Sequence, residues 1–282
     1  GSDLVAFTRG KGASLTEIGE KLLWAEQRVS ARVGPQLQSL SSEINTELNR
    51  ALTSARNSLT IHASHGYAVA YLPELLKMAP EFQVDLRYTG AAESLASLNR
   101  GDCELAGFHL PTEGNGQEII DSLAAFLDVS SHRFIHLVTR TQGLFVPSSN
   151  PKKIESLADL VNPDVTFVNR QYPSGTRMLF DHLLNKNNMS ARDIEGYQSE
   201  EFTHAAVAAY VASGMADTGF GVQPAADQFG LEFIPLAQEK YMFAFKKNVK
   251  KTILKIFKKR WHRQHPRLLN ENIRKIQIPS KI

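Results

Sequence analysis

The residues best able to do chemistry lie where apolar runs give way to glycine and hydroxyl side chains. Pro173-Ser174-Gly175-Thr176-Arg177 follows the apolar run Val165-Thr166-Phe167-Val168 and opens an amphipathic stretch. Ser174 and Thr176 supply hydroxyls, and Gly175 lets a ligand approach the main chain. Free amides at a helix N-terminus favour an anion there. Arg170 and Arg177 add possible charge-assisted donors. The same residues also read as an ordinary N-cap with a glycine turn, and the P-loop spacing is absent. Ser64-His65-Gly66-Tyr67 is a second strand-to-helix junction, with His65 as a hydrogen-bond donor or a titrating group. His109 in Phe108-His109-Leu110 marks a third strand end. Asp217-Thr-Gly-Phe-Gly221 is a fourth, where the glycines point first to close packing. In α/β proteins ligands sit outside the carboxyl ends of strands, so these junctions are expected to face one cleft.

No assembled nucleophile and base are visible. No H-x-x-x-H pair falls on an expected helix, and no G-x-S-x-G elbow occurs. The single cysteine, Cys103, excludes a disulfide within the chain and a cysteine-based zinc site. It falls in an apolar stretch that reads as a buried strand. His182 and His204 read as surface or cap residues. Glu200-Glu201 reads as a pair favouring the positive end of the following helix. The expectation is a binding protein that is not an enzyme and needs no cofactor or metal.

These junctions need a scaffold, and the pattern supplies one. Strands are expected at 58–63, 82–88, 102–110, 134–139, 143–146, 165–168 and 231–236, with a strand or turn at 216–221. Helices are expected at 67–78, 91–99, 178–185 and 203–213, and one starts at 157–160. Repeated strand-loop-helix units mean an α/β fold with mostly parallel pairing. Two sets, about 57–140 and 141–240, make two lobes with a cleft between them. Before them, Ile18, Leu22, Val29, Val33, Leu37, Leu40, Ile44 and Leu48 recur at helical spacing, with Ser14 and Thr16 as the two possible N-caps and Thr16 directly before the acidic first turn. Pro35 is expected to kink or divide this helix. Its thin apolar stripe calls for a partner helix, most simply from a second subunit, with packing on its own domain as the alternative.

The net charge of +3 conceals an asymmetry. Residues 240–282 carry 14 Lys and Arg against one acid, Glu271, whereas residues 1–239 are acidic. The overall charge is therefore no nucleic-acid footprint for the whole chain. Residues 246–263 carry nine basic residues and no acid, with Val249, Ile253, Phe257 and Trp261 every four residues. That pattern predicts a basic amphipathic helix, read first as a solvated domain face. With no long apolar span and no export signal, the chain is expected to be soluble and cytoplasmic.

Taken in order, Asn169-Arg170-Gln171-Tyr-Pro-Ser174-Gly175-Thr176-Arg177 through Leu184, Gly196-Tyr-Gln-Ser-Glu-Glu201-Phe-Thr203-His204 through Ala209, and Gly214-Met-Ala-Asp217-Thr-Gly219-Phe-Gly221 resemble the periplasmic-binding-protein-like sensor domains of bacterial regulators, relatives of molybdate-binding proteins. The opening Arg9-Gly-Lys-Gly-Ala-Ser-Leu15-Thr16-Glu-Ile-Gly19 resembles the wing and linker-helix start of LysR-type and molybdate-responsive regulators. The likeness spans residues 9–245. It implies a bilobal type II periplasmic-binding-protein-like fold, divided as a wing remnant and linker helix over 1–56 and the two lobes over 57–282. It implies an effector sensor of a transcription factor that dimerises through the linker helix and meets DNA only through a winged helix-turn-helix ahead of residue 9. A small ligand, such as the oxyanions molybdate or tungstate, would be held by Ser64, His65, His109, Arg170, Ser174, Gly175, Thr176, Arg177 and Asp217. A stand-alone solute-binding protein for uptake is the alternative; no membrane partner is expected.

Overall fold

The computed structural model describes residues 3–8, 12–52, 57–73, 82–112, 117–128, 130–172 and 174–247. The basic helix expected over 246–263 lies outside the described residues beyond 247, as do the turn at 9–11 and residues 74–78 of an expected helix. The chain divides into two compact units. Unit 1 takes the chain up to Gly34, Gln142–Tyr172 and Leu184–Leu236; unit 2 takes Pro35–Thr141, Pro173–Leu183 and the chain from Ala237.

The fold is mixed α/β. Strands β1 (Val5–Thr8) and β2 (Gly12–Leu15) pair antiparallel and lead into helix α1 (Glu17–Leu52). Then come β3 (Asn57–Ala63), α2 (Tyr67–Ala70), β4 (Phe82–Tyr88), α3 (Ala91–Arg100), β5 (Leu105–Pro111), α4 (Gln117–Ala124) and β6 (His132–Val146). They are followed by β7 (Phe167–Arg170), α5 (Gly175–Lys186), β8 (Glu200–Glu201), α6 (His204–Ala212), β9 (Thr218–Val222), α7 (Gln223–Gln228) and β10 (Glu232–Lys246). Strand order in the main sheet is β4-β3-β5-β10-β6-β9-β7-β8. Pairs β3–β4, β3–β5, β7–β8 and β7–β9 are parallel, while β5–β10 and β6–β9 are antiparallel. The expected mostly parallel pairing is thus interrupted by the two long strands. Residues 134–139 and 143–146 are one strand, because Gly143 continues it. The strand expected at 231–236 runs on to Lys246. The helix expected from 157 is a single 3-10 turn, Leu157–Val161, and Glu200-Glu201 pairs with β7 as a strand.

Helix α1 begins as its sequence dictates. The Thr16 hydroxyl accepts from Gly19 N at 3.1 Å, and Glu17 and Glu20 face the positive helix end. Pro35 lies inside the helix without dividing it. Proline lacks an N–H, so the carbonyl four residues back, Ala31, loses its helical partner. In unit 1 that carbonyl accepts instead from Thr203 Oγ1 at 2.9 Å. Unit 1 holds the first half of α1 further through Arg32 Nε to the Glu201 carboxylate at 2.9 Å and Arg28 over the Tyr210 ring. In unit 2 the second half lies along the edge strand β4. Ser39 and Ser42 hydroxyls accept from Tyr88 N and Leu86 N, each at 3.0 Å, so α1 satisfies edge amides that would otherwise invite another strand.

The apolar stripe of α1 stays exposed. Ile18, Val29 and Leu40 recur at eleven-residue intervals, as do Leu22, Val33 and Ile44, and Leu37 with Leu48; all are 38–60% exposed. Eleven residues in three turns is close to the natural helical period, so the stripe runs nearly straight along the helix.

Thr203 has two duties, because its Oγ1 also caps α6 by accepting from Ala206 N at 2.9 Å. Thr203→Val is expected to cost about 2 kcal/mol from the lost cap and the orphaned carbonyl. In a Pro35→Ala background, where residue 35 supplies the missing N–H, the loss should shrink. Thermal denaturation of the four proteins would refute this account if the Thr203→Val penalty is the same in both backgrounds.

Candidate functional site

The site in unit 2 grows out of strand alternation. Tyr241 lies opposite His109 and Phe243 opposite Gly107 in the β5–β10 ladder. Side chains of Leu105, Tyr241, Phe243 and Phe245 enter one core with Leu59, Ile61, Ala63 and Val69. The intervening Ala106, Phe108, Met242 and Ala244 enter the other, with Leu95, Leu98 and Cys103. Along the first face the row passes from apolar to polar: Phe245, Phe243, the Tyr241 ring with its hydroxyl, then Glu239. His109 and the loop after β3 meet this polar end.

Five side chains and one carbonyl meet there. Tyr241 donates its hydroxyl proton to the Ser64 carbonyl at 3.0 Å, and Ser64 Oγ donates to the Tyr241 oxygen at 3.4 Å. Ser64 Oγ is also 3.3 Å from His109 Nδ1, and the His109 ring stands edge-on to Tyr241 with centroids 4.4 Å apart. His109 Nε2 lies 4.0 Å from Glu239 Oε1, and Glu239 is paired with Arg140 Nε. Burial drives the Tyr241 hydroxyl well above the usual phenol range, so it remains a neutral donor. Glu239 is 2% exposed, and Arg140 supplies the partner that a buried carboxylate requires. Arg140 also borders the junction: a Cβ on Gly66 would lie 3.6 Å from its Nη1. His65 packs edge-on against Tyr88, with centroids 4.9 Å apart.

The N-terminus of α5 reaches the same cluster, since a Cβ on Gly175 would lie 3.8 Å from His109 Nδ1. Ser174 is the helix cap, its Oγ accepting from Arg177 N at 3.2 Å. Thr176 is buried in the first turn. Arg177 directs Nε to the Asp181 carboxylate one turn on, at 3.0 and 3.2 Å. Of the expected residues, unit 2 therefore gathers Ser64, His109 and Gly175, with His65, Ser174, Thr176 and Arg177 beside them. Arg170 and Asp217 belong to unit 1. Arg170 ends β7, buried, with Nη2 on the Phe202 carbonyl at 3.0 Å. Asp217 sits at the other end of β7, where its carboxylate accepts from Thr166 N and Oγ1 at 2.9 and 2.8 Å. That is a strand-start cap, in keeping with a packing role. His204, expected near the surface, is buried at the start of α6.

Arg140, Glu239 and Tyr241 escaped the sequence reading. Arg140 fell in the gap left between two expected strands, and the alternation from Glu239 to Phe245 was the signal that could have shown β10 continuing. Ser64, His109 and Glu239 carry the residue types of a nucleophile, base and acid. The histidine-to-carboxylate gap, however, exceeds a hydrogen bond. The Cys103 thiol is buried and pushed up to about 12 by that burial, which suits packing and not attack. Among the described residues no group of His, Cys, Asp or Glu could hold a metal, and no helix is long and apolar enough to cross a membrane.

Tyr241 can take its place only because residue 107 is glycine. A Cβ there would overlap the Tyr241 hydroxyl and lie 2.8 Å from Ala63 Cβ. Gly107→Ala should cost about 1–3 kcal/mol through overpacking. Tyr241→Phe removes the overlapping oxygen and should recover part of that loss. Urea unfolding showing equal penalties with and without the hydroxyl would refute the seat.

Comparison with known proteins places this chain in a family. Solved structures with the same fold include the regulatory domain of Synechocystis PCC6803 CcmR in complex with 2-PG, at 15% identity and TM-score 0.53 over 71% of this chain and 95% of that one. Another is an ABC-type phosphate transport receptor from Vibrio cholerae, at 15% identity and TM-score 0.52 over 74% and 98%. A third is an H2O2-bound mutant of Corynebacterium glutamicum OxyR, at 14% identity and TM-score 0.54 over 94% and 80%. The protein YvgK of Bacillus subtilis (strain 168) is 35% identical over 163 residues, 57% of this chain; the chain spans about half of that relative, 53% of its length. Residues 73–258 match the PBP superfamily domain, and the chain belongs to that family.

Proposed function

We propose that this chain is the effector-sensing part of a bacterial transcriptional regulator. It binds a small anionic effector at the strand-end cluster of unit 2 and pairs with a second copy through α1. The observation that carries the reading is α1 itself: 36 residues with a straight, exposed apolar stripe, preceded by a two-stranded hairpin. A solute carrier has no use for such a helix, whereas a regulator needs one to join its sensor to a DNA-reading domain. Each large apolar side chain buried on pairing would contribute about 1.5–3 kcal/mol. The second reading, a solute-binding receptor, draws on the fold shared with the phosphate transport receptor of Vibrio cholerae.

The anion would lie at the α5 N-terminus, where Gly175 comes close to His109, itself in contact with Ser64. Molybdate and tungstate are the oxyanions to try first. Effector binding changes the regulator only if it favours one conformation over another.

Two measurements test this. Leu40→Glu combined with Ile44→Glu is expected to convert a dimer to a monomer in sedimentation velocity with the secondary structure kept. A wild-type monomer at micromolar concentration would remove the paired-helix reading. Calorimetry with molybdate, tungstate, sulfate and phosphate should show binding by at least one anion, weakened at least tenfold in Thr176→Ala. Binding untouched by Thr176→Ala and Ser64→Ala would move the site elsewhere.

A further inference from the structure

We infer that the corner where β6 begins and β10 ends is a pH-sensitive catch: a neutral His132 holds it shut, and a second proton on that ring releases the end of β10. The corner lies wholly in unit 2. Asp128, after α4, and His132, the first residue of β6, are joined twice. The His132 amide donates to the Asp128 carbonyl at 2.7 Å, and the Asp128 amide donates to His132 Nδ1 at 3.1 Å. A main-chain N–H can only donate, so Nδ1 is the bare nitrogen and the one proton of the neutral ring sits on Nε2. The same corner holds the end of β10. Lys247, one residue past the strand and at the start of the basic stretch, donates its amide to the Ser131 carbonyl at 3.1 Å.

Protonation sets two donors against each other. An imidazolium carries N–H on both nitrogens, so Nδ1–H would face the Asp128 N–H and their bond is lost. His132 is buried, and burial holds its pKa below the ordinary imidazole value; the Asp128 carboxylate pulls it back up, and the Lys246 ammonium pushes it further down. Arg133, next on β6, is a further charged neighbour, with Nη1 on the His132 carbonyl at 3.2 Å. Asp128 is not the group that titrates here. Hydrogen bonds from the Ser130 and Ser131 hydroxyls and from the Ser130 amide bring its carboxyl down to about 2. The closed corner therefore binds the ring's second proton more weakly than the open one. Its advantage is complete above about pH 6.5, the ordinary imidazole value, and falls by up to about tenfold per pH unit below it, until the closed form is itself protonated. Lys246, whose ammonium donates to the Asn99 carbonyl at 3.0 Å, is repelled by the charged ring, which favours the same release.

Two experiments on the whole chain decide this. Amide hydrogen exchange, read as protection factors, should show Asp128 and Lys247 losing protection at least about threefold between about pH 7.5 and 5, while the amides paired between β5 and β10 keep theirs. In His132→Asn the side-chain oxygen stands where Nδ1 stood, accepts the same bond and does not titrate, so the loss should vanish. An equal loss in His132→Asn, or loss at Asp128 with Lys247 unmoved, overturns the catch. Long-range nitrogen-proton spectra of the wild-type ring need no folded variant. At about pH 8, where an ordinary imidazole is neutral, they should show His132 protonated at Nε2 and bare at Nδ1. A ring protonated at Nδ1 there overturns the assignment on which the catch is built.

Discussion

The cross-strand seat of Tyr241 opposite His109 and beside Gly107 is the constraint on which the site depends. An antiparallel ladder fixes which residues face each other, and a one-residue slip would send Tyr241 into the opposite core. In the observed register its ring completes an apolar layer while its hydroxyl emerges at the layer's polar edge. The hydroxyl then ties the Ser64 carbonyl, one residue beyond the end of β3. A single buried phenol thus joins the end of a parallel strand to the middle of an antiparallel one.

Helix α1 shows how a long helix can be anchored without burying its stripe. Within unit 1 the contacts are a carboxylate for Arg32, a ring for Arg28, a hydroxyl for the carbonyl that Pro35 leaves open, and Phe229 for the Trp24 ring. Within unit 2 serines serve as acceptors for the edge amides of β4. Neither set buries the apolar stripe. The apolar residues at eleven-residue intervals remain outward, where their near-straight line suits another straight helix better than a globular surface.

Much of this was legible in the sequence, for physical reasons. Strand-to-helix junctions announce themselves by glycine and hydroxyl residues after apolar runs, so Ser64, Gly175 and Thr176 stood out. The Thr16 cap and the α1 stripe are local patterns of the same kind. What remained hidden depends on long-range pairing. Arg140 and Glu239 carry no local mark, because their meaning comes from the partner each finds ninety-nine residues away. Asp217 stood out through its glycine-rich neighbours, yet a carboxylate caps a strand start as well as it holds a ligand, and only the placement of Thr166 distinguishes the two.

The Arg140–Glu239 pair is better understood as placement than as stabilisation. Taking both charges out of water costs several kcal/mol per ion before their attraction is counted, so a pair of apolar residues would serve stability as well or better. What an apolar pair could not do is hold a carboxyl side chain beside the far nitrogen of His109 with a guanidinium set against it. With Arg140 set against it, Glu239 is held in one orientation. The local field is then set by the α5 amides and by the histidine ring, whose near nitrogen is committed to Ser64. In a cluster with its ions paired, the directions of hydrogen bonds weigh more than total charge, because the paired ions offset one another and the dipoles do not.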